Sequence, residues 1–238
     1  MNMQDNRIAK QQHTMAERTH DADAETSDGQ AGNGAAEFAG QPMQGTRIDM
    51  GRPARITRSD TVYQGAIFSV EDRTVSVSSR GGERLDIRRQ VVLHAPSVVM
   101  LVHDLQRDLY LAEREYRAGS NIFAYGIPAG LMNEDEDPER AALRELREET
   151  GVEADAADLQ IDRVGDFYSS EGMTDELVHV MVLHLKAWRA TSRHFDEDEY
   201  VESAWVSWSE LTILPIASSN SVIAIQHETL RRVRARTC

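Results

Sequence analysis

From about Ile48 onward the chain is patterned as short β segments separated by turn residues, and the spacing turns helical only twice. Residues 62–70 and 73–77 read as strands, the second by the alternation of Val75 and Val77. Arg80-Gly81-Gly82-Glu83 is the turn that follows them. Residues 91–102 are rich in β-branched side chains and read as one buried strand. Residues 109–117 follow as another, after a polar break at 104–108. Residues 126–130, with Pro128 inside, read as a loop, and further strands are expected at 161–168, 177–185 and 203–206.

The first helical stretch opens with Asp137-Pro138, an N-cap followed by proline at the first helical position. Residues 140–150 are good helix formers, and Gly151 supplies the stop. A second helix is expected over about 220–234, where Val222, Ile225, Thr229 and Val233 recur near the 3.6 period. Strands and helices mix without a regular βαβ alternation or an internal repeat, so the expected class is α+β with a mixed sheet.

Composition sets the frame. The chain has 238 residues, enough for one domain with extensions. Residues 1–45 are rich in Gly, Ala, Gln and acids without any apolar period, and read as a disordered, solvated tail. That leaves residues 46–238 as the folded domain. With 26 Lys and Arg against 40 Asp and Glu, the formal charge is −14. Such a surface repels nucleic-acid backbones and anionic membranes, so neither partner is expected. It admits small phosphorylated substrates, because bound divalent cations reverse the local sign. The one cysteine, Cys238, excludes an intrachain disulfide and a Cys-based zinc site. The opening residues are polar, without the apolar core of a secretory signal. The longest apolar stretch is interrupted by His94, Pro96 and Ser97 and is too short to span a bilayer. A cytoplasmic protein is expected.

Chemistry concentrates in residues 130–152. Glu145, Glu148 and Glu149 stand at i, i+3 and i+4, so their carboxylates share one helix face. Like charges there repel unless something positive compensates. Arg144, four residues before Glu148, can neutralise part, and a cation the rest. Oxygen donors without Cys or His point to Mg²⁺ or Mn²⁺. Glu136 precedes the helix, and the small residues of 126–130 let backbone approach a ligand. A Glu-rich helix is usually just a solvated face. The glycines, Arg144 and Glu136 at fixed offsets are not needed for solubility and argue against that reading here.

The segment resembles the Nudix box, G-x5-E-x7-R-E-U-x-E-E-x-G-U with U aliphatic, at all nine specified positions over 23 residues. The resemblance implies the Nudix fold, a mixed β-sheet sandwiched between helices, with an N-terminal antiparallel strand extension over residues 46–90. It implies hydrolysis of a nucleoside diphosphate linked to another group. Glu145 and Glu149 become metal ligands, Glu148 supports the metal and the catalysis, and Arg144 positions the acids. Gly130, Glu136 and Gly151 become structural.

A second layer is similar to the ADP-ribose pyrophosphatase branch. It rests on the order of residues 63–70, Val92-Leu93-His94, Arg114-Glu115-Tyr116-Arg117 and Ile127-Pro128-Ala129-Gly130-Leu131. It implies that Arg117 and Leu131 contact substrate, that the Ala129 carbonyl is a metal ligand, and that the extension forms a homodimer. Phe68 then stacks on adenine, although a plain core role is equally open for it. The acidic run 195–200 matches a loop that supplies a metal ligand or base, with Glu199 first and Glu197 second. Glu176 matches a ribose contact, but Glu171 stands where the branch often has proline. The implied reaction is Mg²⁺- or Mn²⁺-dependent cleavage of ADP-ribose to AMP and ribose 5-phosphate. Another nucleoside-diphosphate sugar stays open as substrate, as does a nucleoside triphosphate. A rival reading is an ADP-ribose-sensing regulator, which would need a DNA-binding module. The only basic run is Arg231, Arg232, Arg234 and Arg236, which at a helix end is more simply a partner for the helix dipole.

Overall fold

The computed structural model describes residues 47–194 and 200–237. Two compact units divide the chain, one through Val91 and one from Val92. In the first, strands β1 (Arg55–Gln64), β2 (Phe68–Ser78) and β3 (Arg84–His94) lie in that order in one sheet. β1 and β2 are antiparallel, and the Gly65 N–H donates to the Phe68 carbonyl at 3.0 Å across their turn. The strand expected over 62–70 is therefore two strand ends with a reversal between them. A Cβ at Gly65 would lie 2.8 Å from the Tyr63 hydroxyl, so a side chain there would push the exposed Tyr63 ring aside. β1 is exposed along its whole length.

The second unit contains β4 (Ser97–Asp104), β5 (Leu109–Arg117), β6 (Ile122–Gly126), β7 (Ala129–Leu131), helix α1 (Pro138–Thr150), β8 (Val152–Glu153), β9 (Leu159–Tyr168), β10 (Leu177–Leu185), β11 (Arg189–Ala190), β12 (Val201–Ser207), α2 (Trp208–Leu211) and α3 (Ser219–Thr237). The main sheet runs β12-β5-β4-β10-β9, with β10 parallel to β4 and the other pairs antiparallel. The strand expected over 91–102 is broken at Ala95-Pro96, where proline has no N–H for the ladder. β4 and β5 pair only through His103–Tyr110 and Asp104–Leu109. Beyond that point β7 pairs with β4 and β6 with β5. The loop expected over 126–130 shrinks to Ile127-Pro128, because Gly126 ends β6 and Ala129 begins β7.

β4 is buried throughout and serves both faces of the sheet. Val98, Met100 and Val102 pack with Ala141, Ala142 and Leu146 of α1. Val99 and Leu101 pack with Tyr110, Val180, Leu211 and Ala224, the last on α3. The result is the expected α+β arrangement, a mixed sheet covered by helix on each side.

The face that α3 buries differs from expectation. Ser221, Ala224 and Glu228 point inward, whereas Thr229 and Val233 are exposed. The apolar pattern misled because the inward residue at the next turn is a fully buried glutamate. Tyr110 Oη donates to Glu228 Oε1, and Arg231 donates to both carboxylate oxygens at 2.5 and 2.6 Å. Arg232 donates to Asp108 and to Tyr110 Oη at 2.7 to 2.9 Å. Arg231 and Arg232 therefore do more than face a helix dipole. Arg231 compensates the Glu228 charge that the helix places in the interior, while Arg232 ties the exposed Asp108 of the β4–β5 turn to Tyr110. Beside them the Nδ1 atoms of His103 and His184 lie 3.1 Å apart, and His103 Nε2 lies 2.9 Å from Asp108.

Candidate active site

Helix α1 forms where its caps dictate. The Asp137 carboxylate accepts from the Glu139 and Arg140 N–H groups at 3.0 and 3.2 Å, and Pro138 opens the first turn. Gly151 ends the helix at φ 70°, donating to the Arg147 carbonyl at 3.0 Å. A Cβ at Gly151 would lie 2.5 Å from the Thr191 carbonyl oxygen, so both conformation and space require glycine.

The inward face carries Ala141, Ala142 and Leu146, but also Glu145 and Glu149, which are 7% and 5% exposed. Burying two carboxylates one turn apart is costly without compensation. Glu145 gets its room from β7: a Cβ on Gly130 would come within 2.2 Å of the Glu145 carboxyl carbon. The absence of a side chain at Gly130 therefore lets the carboxylate lie directly on the strand backbone.

For Glu145, compensation comes from Arg144. Its Nε and Nη2 hold the two oxygens of Glu136 at 2.9 and 2.7 Å. Nη2 also donates to the Leu131 carbonyl at 3.0 Å, and Nη1 reaches Glu145 at 2.5 Å and Glu148 at 3.2 Å. Paired with Arg144 and receiving the Asn133 N–H, Glu136 is held down to about 2 and stays ionised at any working pH. Burial lowers the Arg144 pKa, but Glu136 and Glu145 outweigh that and raise it overall. The loop before the helix is a tight turn: the Glu136 N–H donates to the Asn133 carbonyl at 3.2 Å, and Asp135 takes φ 53°. The Asn133 N–H and side-chain amide both donate to Glu136 Oε2, at 2.9 and 3.1 Å.

The structure thus brings together Gly130, Leu131, Glu136, Arg144, Glu145 and Glu148, with Glu149 buried on the same helix. Ala129 adjoins Gly130 in β7, paired with Val99. Among the described residues, no three acids or imidazoles converge on one point ready to ligate an ion. The donor set itself fits a hard cation: carboxylate oxygens on one helix face beside strand backbone, with no sulfur or imidazole among them. Glu148 also accepts, through its carbonyl, the His194 N–H at 2.8 Å. Glu197 and Glu199 lie outside the described residues.

The remaining candidates are spread out. Arg117, at the end of β5, is paired with Glu115 at 2.8 Å and remains 57% exposed. Glu176 accepts from Ser97 Oγ at 3.0 Å, and Ser97 pairs with Leu131, which sets Glu176 beside the strand that leads into the box loop. Glu171 is exposed in the turn after β9. Phe68 belongs to the first unit, its ring tilted against Tyr63 at 5.5 Å. Sequence reasoning passed over Asn133. The available signal was an Asx residue opening a polar four-residue turn, a place where such side chains bond nearby groups.

The chain matches the NUDIX domain family over residues 93–224, which spans the whole of this arrangement. It belongs to the Nudix family. An ADP-ribose pyrophosphatase of Bacillus subtilis (strain 168) is 30% identical over 148 residues, 60% of this chain and 77% of that protein. A methanol dehydrogenase activator of Bacillus methanolicus is also 30% identical, over 178 residues, 73% of this chain and 91% of that one. A crystal structure of an ADP compounds hydrolase superposes with a TM-score of 0.58 at 21% identity, covering 76% of this chain and 95% of that one, which supports the fold. With its box intact, the chain is a Nudix pyrophosphohydrolase.

Proposed function

We propose that this Nudix protein hydrolyses the diphosphate bond of ADP-ribose to AMP and ribose 5-phosphate, using Mg²⁺ or Mn²⁺. The observation that carries the reading is the Arg144 fork, which holds Glu136, Glu145 and Glu148 about one guanidinium beside the side-chain-free strand position Gly130. The similarity to a Bacillus subtilis ADP-ribose pyrophosphatase supports the substrate. Glu145, Glu149 and Glu148, with the Ala129 carbonyl, would hold the cation. When bound, the cation neutralises charge on the diphosphate. Arg144 keeps the acids in place while that charge shifts, and Gly130 leaves the space Glu145 occupies. Glu199, or Glu197 in its stead, takes a proton from the attacking water. A phosphorus–oxygen bond forms to that water, the bridging one breaks, and the leaving phosphate departs. Arg117, Glu176, Leu131 and Phe68 are assigned to substrate recognition. The chain is taken as a homodimer. The exposure of Ile56, Val62 and Tyr63 along β1 supports this.

The test is a panel of ADP-ribose, GDP-mannose, dinucleotides and nucleoside triphosphates, each with Mg²⁺ or Mn²⁺ and with excess chelator, products identified. ADP-ribose should give the highest kcat/KM, and chelator should abolish turnover. Turnover unaffected by chelator, or preference for another class, overturns the reading. A partner-regulating role is favoured by one observation: the methanol dehydrogenase activator aligns over more of this chain than the pyrophosphatase does. Negligible turnover of every panel member would point there.

A further inference from the structure

The box pattern specifies Glu136 and Arg144 but leaves open what holds Glu136 itself. In this chain four donor contacts fix it, two from Arg144 and two from Asn133. Both Asn133 contacts fall on Oε2, the oxygen that also accepts Arg144 Nη2 at 2.7 Å. That oxygen therefore sits in a socket of three donors, and the carboxylate plane cannot rotate without giving up at least one. The plane in turn fixes the guanidinium, because Nε and Nη2 bind its two oxygens side by side. With those two atoms anchored, and Nη2 also tied to the Leu131 carbonyl, Nη1 is aimed at Glu145 and Glu148. The turn that brings Asn133 over Glu136 is closed by the Glu136 N–H and carried by Asp135 in the left-handed region.

We infer that Asn133 is a positioning residue: its side-chain amide sets the orientation of Glu136 and, through Arg144, the placement of the box glutamates. Its contacts are to Glu136, so it acts through that residue and Arg144. This inference rests on the reading of Glu145, Glu148 and Glu149 as the cation-holding acids, though not on ADP-ribose as the substrate.

Two variants separate this from a general loop contribution. Asn133→Ala keeps the backbone donor and removes the amide. Asn133→Asp is nearly isosteric but sets a carboxylate where the amide met Glu136, so it should push Glu136 off its plane. Groups that orient metal ligands cost about 10- to 100-fold in affinity or rate when lost. The expected order is therefore wild type, then Asn133→Ala about threefold to tenfold weaker, then Asn133→Asp at least about tenfold weaker. Mn²⁺ affinity of the full chain would be measured first, by calorimetry or water-proton relaxation with no nucleotide present. Steady-state kinetics with ADP-ribose at saturating Mg²⁺ would follow, with thermal unfolding of each variant in chelator to confirm folding.

The inference requires Mn²⁺ affinity and kcat to fall in that order, with KM within about twofold of wild type. It is overturned if both variants fold and bind Mn²⁺ as wild type does, or if the loss is confined to KM. If Asn133→Asp fails to fold, the alanine variant decides alone. If wild type turns over no ADP-ribose, the functional reading fails, while the Mn²⁺ series still decides the role of Asn133.

Discussion

Replacing Gly130 by alanine adds one methyl group where β7 passes under Glu145 of α1. The new Cβ would lie 2.2 Å from Glu145 Cδ, 2.4 Å from Cγ and 2.6 Å from Oε2. No carbon tolerates such a distance, so the strand or the carboxylate must move. Moving the strand disturbs the β4–β7 ladder at Val98 and overpacks a buried region, at about 1 to 3 kcal/mol. Moving the carboxylate breaks its charge-assisted bond to Arg144, at about 1.5 to 3 kcal/mol. At about 2 to 4 °C per kcal/mol for a chain of this size, the thermal midpoint should fall by several degrees. Activity should suffer more, because a displacement of about 1 Å in a catalytic group can cost on the order of a hundredfold. The assay pairs thermal unfolding in chelator with kcat measured well below the variant's midpoint. Gly119→Ala is the control: nothing lies within 4 Å of a Cβ there, and its stability should stay within about 0.5 kcal/mol. A Gly130→Ala variant with unchanged midpoint and kcat within about twofold of wild type would mean that Glu145 does not occupy this space in the working enzyme.

Glu149→Gln keeps shape and removes charge from a buried ligand candidate, so kcat should drop by about a hundredfold or more while folding survives; near-normal turnover at saturating metal would remove Glu149 from the ligand set. In the acidic run, Glu199→Gln should cut kcat with little change in KM and erase the acid limb of the pH–rate profile. If Glu197→Gln alone does so, the two exchange roles, and if neither does, the base lies elsewhere. Acidification should also destabilise the fold through His184. Burial first, then Arg231, pushes its pKa from 6.5 to about 4, and its Nε2 is buried without a hydrogen-bond partner among the described residues. The unfolded chain binds the proton more readily, so stability falls as pH drops below about 6.5 and levels off below about 4, a loss of about 3 kcal/mol from this group. Urea unfolding between pH 7 and 4.5, above the window where paired carboxylates such as Glu136 protonate, should show this slope, and His184→Gln should reduce it, leaving the part that comes from His103, also lowered by burial; a wild-type stability that is level across that range would contradict it.

The fold was legible wherever a local rule decides structure. Asp137, Pro138 and Gly151 bound α1 because capping geometry is written in single residues. β5 and β10 fall at the expected bounds because their apolar content is set by the sheet they join. Errors came where tertiary partners override pattern. β7 takes two of its three residues from a Pro- and Gly-punctuated loop, and they become strand because β4 leaves an edge beside them. The inward face of α3 could not be read from hydrophobicity, since its deepest residue, Glu228, is stabilised by Tyr110 from 118 positions away. In the site, the spacing of Glu145, Glu148 and Glu149 gave a shared helix face, and the match to a known box gave their meaning. What spacing could not give was the direction of Arg144, which depends on Leu131 and Asn133, residues whose types the box leaves open.

The charge balance of the site explains why the cation is integral to the proposed chemistry. Arg144 gathers Glu136, Glu145 and Glu148 about one guanidinium, and Glu149 lies buried on the same helix, so acids outnumber the one cation seen to pair with them here. Glu136 cannot relieve this by taking up a proton, because it is held ionised down to about 2. A diphosphate brings further negative charge to the same place. In a partly buried site that repulsion is screened far less than in water. A single divalent ion would leave cluster and diphosphate together still negative. Under the proposed function, more than one ion would let substrate approach against less repulsion and would neutralise both the attacked and the departing phosphate. The geometry of Arg144 serves that outcome. By tying Glu136 to the loop and reaching Glu145 and Glu148 with one nitrogen, it holds three mutually repelling carboxylates about one guanidinium and leaves the remaining compensation to the proposed cation.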